Sequence, residues 1–205
     1  MPLRASRLGS LVAVGVLAWH PSTLLISHKA TREVRLVVVP RKQRSKDKVI
    51  TDKKSLAAIL NGLRTSGKNV VLTNGVFDLL HVGHLRCLED ARSRGDMLVV
   101  AVNSDKSAEA LKGKGHPVIP CAERMEMLSG LAFVDYVTTF DEETADELLR
   151  QLHPSMYAKG TDYTLKTLPE KPVLKELEVK ALFVGGKKDH STSKLVTKIA
   201  KLKKK

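Results

Sequence analysis

Residues 73–84 read T-N-G-V-F-D-L-L-H-V-G-H, a small-residue turn followed by two histidines, His81 and His84, that flank Gly83. The apolar run Val70-Val71-Leu72 precedes the turn, and the periodic residues Leu85, Leu88 and Ala91 follow it. Strand, tight turn and amphipathic helix in that order open a β-α unit. Asn74 and Gly75 suit the turn, and Gly83 removes a side chain where an anion would approach the N–H groups at the positive end of a helix dipole. At i, i+3 the two imidazoles share one face of the first helical turn and can donate to one phosphoryl group. Two other readings stand beside this one. Zinc ligation asks for a third ligand and, on a helix, i, i+4 spacing with a glutamate, neither of which is evident. A pair that only satisfies the helix end needs no ligand at all.

Outward from this unit, short apolar runs alternate with amphipathic stretches. A first helix is expected from a cap at Thr51 to about Arg64, with Leu56, Ile59, Leu60 and Leu63 on one face and Ser66-Gly67 as its stop. After the opening unit come a strand over Met97 to Val102, a loop L-K-G-K-G-H-P at 111–117, and a helix over Glu123 to Leu131. A strand Tyr136 to Phe140, an acidic helix Glu142 to Leu152 and a short strand around Met156 to Ala158 follow. A helix near Val173 to Leu177, a strand Ala181 to Val184 and a basic helix from Ser191 complete the pattern. Such β-α alternation predicts a doubly wound parallel sheet, which binds ligands at the carboxyl ends of its strands where the strand order reverses.

The formal net charge of +13 sits almost wholly in the ends of the chain. Residues 1–50 hold 10 Lys/Arg against 2 Asp/Glu, and the last five residues hold 4 lysines. A nearly neutral body argues against a nucleic-acid-binding face, so no nucleic-acid partner is expected. The K-K-K end reads as a solvated helix terminus that complements the helix dipole. With 205 residues the chain suits a single folded domain at 48–205 behind an N-terminal extension at 1–47, and the charged run R-K-Q-R-S-K-D-K at 41–48 reads as a linker. Residues 1–32 carry no acid and an apolar stretch from Leu8, which fits a targeting segment, a disordered extension or a start upstream of the true one. No apolar run is long enough to span a bilayer, so no membrane association is expected. Cys87 and Cys121, with no CxxC or zinc spacing, suit a reducing cytoplasmic compartment.

From about Lys48 onward the chain resembles the cytidylyltransferase-like nucleotidyltransferase superfamily, whose HxGH motif matches His81-Val82-Gly83-His84. Within it, the likeness is greatest to the bacterial D-glycero-β-D-manno-heptose 1-phosphate adenylyltransferases. Five further blocks match in order: R-G-D-M-L-V-V-A-V-N-S-D at 94–105, L-K-G-K-G-H-P-V at 111–118, E-R-M at 123–125, K-G-T-D-Y at 159–163 and H-S-T-S-K at 190–194. The resemblance implies a Rossmann-like fold and transfer of a nucleoside monophosphate from a triphosphate to a sugar or polyol phosphate, with release of pyrophosphate. It implies ATP as donor, heptose 1-phosphate as acceptor and Mg²⁺ carried by the triphosphate. T-N-G-V-F-D, rather than the T-Y-G-T-F-D of glycerol-phosphate cytidylyltransferases, favours this member. The alternatives are a CTP-dependent enzyme acting on glycerol 3-phosphate or ethanolamine phosphate, an FAD synthetase-like adenylyltransferase, and a nucleotide-binding interaction protein without turnover.

Carried over residue by residue, His81 and His84 contact the triphosphate, Lys112 or Lys114 closes over the reacting phosphates, and Arg124 holds them as a forked donor. Asn74, Gly75, Phe77, Gly83, Asn103, Asp105, Lys159, Gly160 and Asp162 line the nucleotide site, with Asp105 and Asp162 as ribose or base neighbours. Ser191, Thr192 and Ser193 resemble the Ser-Thr-Thr motif that contacts phosphates, although they are equally explained as the cap of the last helix. Taken alone, the two lysines read as a solvated loop. Asp78 is expected to cap the helix that follows it. Many members carry the domain behind a sugar kinase; residues 1–47 are too few to hold one, so a separate kinase is the expected supplier of the sugar phosphate. A homodimer is inherited from the family.

Overall fold

The computed structural model describes residues 23–24, 39–40, 45–186 and 192–202. The chain divides into two compact units, Met1–Lys42 and Gln43–Lys205. In the first, β1 (Thr23–Leu24) pairs antiparallel with β2 (Val39–Pro40).

The second unit is a five-stranded parallel sheet sandwiched between helices. Its elements are α1 (Lys53–Thr65), β3 (Val70–Gly75), α2 (Val82–Ser93), β4 (Met97–Asn103), α3 (Asp105–Lys112), α4 (Cys121–Ser129), β5 (Tyr136–Phe140), α5 (Asp146–Leu152), β6 (Met156–Gly160), α6 (Lys171–Glu176), β7 (Lys180–Val184) and α7 (Thr192–Leu202). The strand order is β5-β4-β3-β6-β7. From the central β3 the chain winds first through β4 and β5 on one side, then through β6 and β7 on the other, so the order reverses between β3 and β6. Their register, Val71 beside Met156 and Thr73 beside Ala158, brings the carboxyl ends of both strands to one edge of the sheet. The predicted doubly wound α/β sheet is therefore the observed one.

The strands are buried on both faces, which is why β4 reads as an almost unbroken apolar run, M-L-V-V-A-V-N. Side-chain alternation splits the core in two. Val70, Leu72, Val99, Ala101 and Tyr157 face Leu56 and Leu60 of α1 and Leu148, Leu149 and Leu152 of α5. Val71, Leu98, Val100, Val102 and Ala158 face Leu88 and Ala91 of α2 and Leu128 of α4.

Three local readings are corrected. Asp52, not Thr51, caps α1, its carboxylate accepting from the Ser55 backbone at 2.9 Å. A helix, α3, occupies 105–112, where only the following loop was expected; of its residues, only Ser107 and Ala108 are buried, which leaves little apolar periodicity to read. The charged run at 41–48 also ends in an anchor rather than a linker. Lys48 is buried, and its ammonium donates to the carbonyls of Leu131 at 3.0 Å and Val134 at 2.6 Å, while Ile50 bonds the backbone of Val137 at the sheet edge.

Candidate active site

The turn from β3 into α2 is shaped by two close packings. Phe77 has φ of +49°, a conformation unfavourable for a side chain of its size, and folds back so that a Cβ on Gly75 would lie 3.1 Å from its ring. A side chain at 75 would force the Phe77 ring to shift by a few tenths of an ångström. Phe77 then packs edge-on against His84, with ring centroids 5.3 Å apart. His84 in turn stacks on His81 at 3.9 Å and 17° between planes. His81 occupies the position just before α2 in extended conformation, and Val82, Gly83 and His84 form its first turn. The two imidazoles therefore stand as one block at the positive end of a 12-residue helix, where anion binding is favoured.

Asp78 does not cap α2. It is 4% exposed and reaches across the chain: Oδ1 accepts from the backbone of Val118 at 2.8 Å and of Ile119 at 3.0 Å, and Oδ2 lies 3.1 Å from His116 Nδ1. Burial alone would raise its pKa, but the bonds from Ile119, Val118 and His116 outweigh it and hold the carboxyl below its ordinary value. Asp78 thus straps the 113–120 loop to the histidine turn. Lys112 ends α3 and Lys114 lies in the loop, both exposed, and Gly113 and Gly115 adopt φ of +89° and +88°.

Arg124 is wholly buried, with its fork spent on the protein: Nε donates to Ile119 O at 2.8 Å, Nη1 to Val76 O at 2.5 Å and Nη2 to Asp105 Oδ1 at 2.7 Å. In this conformation it ties together the turn after β3, the loop and the start of α3, instead of offering its fork to a phosphate. Asp105 Oδ1 also accepts from the Cys121 backbone at 2.8 Å, so this carboxylate, expected as a ribose or base neighbour, joins α3 to α4. Asn103, at the end of β4, is buried and donates to Ser107 Oγ, which donates on to Glu142 O.

Across the crevice, the end of β6 carries Lys159 and Gly160. Lys159 pairs with buried Glu170 at 3.3 Å and lies over the rings of Tyr157 and Tyr163. Burial pulls this ammonium below the usual lysine range while Glu170 pushes it back. A Cβ at Gly160 would stand 2.6 Å from Asp162 Oδ1, so a side chain there would displace the Asp162 carboxylate. After β7, Thr161 donates to the Gly186 carbonyl, and Asp90 of α2 accepts from the Gly185 backbone at 3.0 Å. Thr192 opens α7; Ser191 lies outside the described residues, as does the side chain of Ser193.

The fold therefore gathers the ends of β3, β4 and β6 and the head of α2 at one edge. Its helix-headed anion seat at the switch point suits a nucleotide's phosphates. A family model described as cytidylyltransferase-like matches residues 72–200. The chain belongs to the cytidylyltransferase-like family. Its chemistry is that of a nucleotidyltransferase, as the six sequence blocks implied. Among curated proteins it is 44% identical over 156 residues to the bifunctional protein HldE of Geotalea uraniireducens, covering 75% of this chain and 31% of that protein. It is 37% identical over 188 residues to the HldE of Pseudomonas paraeruginosa, covering 92% of this chain and 39% of that protein. The chain thus spans between about three tenths and two fifths of the length of the curated relatives it matches. A crystal structure of a lipopolysaccharide core biosynthesis protein from Thermoplasma volcanium is 26% identical, with a TM-score of 0.50, and covers 58% of this chain and 97% of that one.

Two residues beside the site were not singled out from the sequence, Tyr157 and Glu170. The alternation in M-Y-A-K-G, which puts Tyr157 and Lys159 on one face, was the available signal. Among the described residues no helix is long and apolar enough to cross a membrane.

Proposed function

We propose that the chain transfers AMP from ATP to a sugar 1-phosphate of the heptose type, releasing pyrophosphate and forming an ADP-sugar. The observation that carries this reading is the stacked His81–His84 block at the head of α2, beside the reversal of strand order. The similarity to HldE proteins and the T-N-G turn favour ATP and a heptose phosphate over CTP and a polyol phosphate. An oxygen of the acceptor phosphate attacks the α-phosphorus; the new P–O bond forms as the bond to the pyrophosphate oxygen breaks. No covalent intermediate with the protein is needed. Catalysis is then alignment plus neutralisation of charge on the α-phosphate and leaving group.

His81 and His84 donate to the triphosphate, with the α2 dipole behind them, and Lys112 from the end of α3 or Lys114 from the strapped loop approaches it. Arg124 and Asp78 hold that loop and turn in register. A magnesium ion carried by the triphosphate, with few protein ligands, would help to neutralise charge on the phosphates. Among the described residues no group of three His, Cys, Asp or Glu forms a cage of its own.

The test is pyrophosphate release by the full chain with Mg²⁺, crossing ATP and CTP against heptose 1-phosphate, glycerol 3-phosphate and ethanolamine phosphate. Turnover with ATP and heptose 1-phosphate that falls at least about 100-fold in His84→Ala is expected, the scale of losing a donor to developing charge. Turnover with CTP alone would move the assignment to cytidylyl transfer.

A further inference from the structure

The two faces of the sheet present different chemistry at the switch point. His81 and His84 head α2, which packs on the face carrying Val71 and Ala158. Alternation puts Asn74 on the other face, with Val70 and Leu72, and Lys159 there with Tyr157. Asn74 is half-buried at the end of β3, and Tyr157 is fully buried beneath it. The Tyr157 hydroxyl donates to Asn74 Oδ1 at 2.5 Å. Burial, with the Glu170 carboxylate beside it, pushes this phenol well above the usual tyrosine range, so it stays protonated and remains a donor. A carboxamide has one acceptor oxygen and one NH₂ group. With the oxygen held by Tyr157, the NH₂ is the end left to meet a ligand.

An in-line displacement brings the nucleophile to the α-phosphorus from the side opposite the departing pyrophosphate. If the pyrophosphate leaves toward the histidines, the acceptor arrives on the Asn74 side. We propose that Tyr157 is a positioning residue that locks the Asn74 carboxamide with its NH₂ toward the acceptor, making Asn74 a donor to an oxygen of the incoming sugar phosphate. The inference rests on the nucleotidyl-transfer reading above.

Two substitutions separate its parts. Tyr157→Phe keeps the ring in the core and removes only the hydroxyl, releasing the carboxamide to rotate. Asn74→Asp retains acceptor oxygens for Tyr157 but replaces the outward donor by negative charge facing an anionic substrate. Steady-state kinetics of the full chain are read for both substrates. Tyr157→Phe is expected to raise the acceptor KM about tenfold with kcat within about twofold and the ATP KM unchanged, the pattern of lost binding common to ground and transition states. Asn74→Asp should raise the acceptor KM further, and it keeps the test available if Tyr157→Phe folds poorly. An unchanged acceptor KM in either folded variant, or a rise confined to the ATP KM, overturns the inference while leaving nucleotidyl transfer intact. Absence of turnover in the unsubstituted protein with every substrate pair overturns the functional reading and this inference with it.

Discussion

Removal of the Asp78 carboxylate should loosen the loop that carries Lys114 and follows Lys112, and the size of the effect follows from the bonds the carboxylate makes. Both backbone donors, Val118 and Ile119, converge on Oδ1, whereas His116 faces Oδ2. Asp78→Ala strands both N–H groups, at about 1–3 kcal/mol each where water is excluded. Val118 is exposed and Ile119 only half-buried, so water can take up part of the loss, and the total should lie near the lower end, about 2–3 kcal/mol. For a domain of this size that lowers Tm by roughly 4–12 °C. Asp78→Asn can keep its carbonyl oxygen at the Oδ1 position, with its amide nitrogen toward His116, and should cost less than half as much.

The carboxylate also makes the loop acid-sensitive. Its folded pKa lies below its ordinary value, so its stabilisation is complete above the unfolded pKa of about 3.9. It is lost as pH falls through the lower folded value. The assay is thermal unfolding by circular dichroism at neutral pH and down an acid series, with limited proteolysis across 111–120 alongside. Wild-type Tm in Asp78→Ala, or an Asn variant as unstable as the Ala variant, would refute the reasoning. An acid-unfolding profile identical in wild type and Asp78→Ala would refute the electrostatic part.

Two other substitutions or reactions probe how α2 is seated. Burial, with Asp90 and Asp162 nearby, pushes the Cys87 thiol up to about 11, so iodoacetamide should spare Cys87 in the folded protein at pH 8 and label it on unfolding, as read by mass spectrometry. Rapid labelling of folded protein at that pH would contradict the packing of α2 on β7. Gly185 has φ of +93°, and a Cβ there would lie 2.9 Å from Cys87 Cβ, so Gly185→Ala should destabilise by about 1–3 kcal/mol in denaturant melts. A melt indistinguishable from wild type would mean that β7 and α2 are not so closely apposed.

The sequence by itself determined the sheet and the strand–turn–helix unit on which the candidate site is built. Continuous apolar runs at 70–72 and 97–102 are legible because central strands buried on both faces are apolar almost throughout. The T-N-G turn and the histidine spacing are local, so strand, turn and helix head follow from adjacent residues. What only the tertiary structure decided is which charged side chains were claimed by the protein itself. Asp78 has the look of a cap from its position before α2, yet a loop 40 residues away takes its carboxylate. Arg124 reads as a phosphate fork, yet three protein oxygens, two from sites outside its own helix and the loop leading into it, occupy its nitrogens. Lys48 reads as linker and is buried against carbonyls 83 and 86 residues on. A charged side chain carries no periodic signal of its own, and whether it meets water, ligand or backbone depends on partners brought near only when distant segments pack.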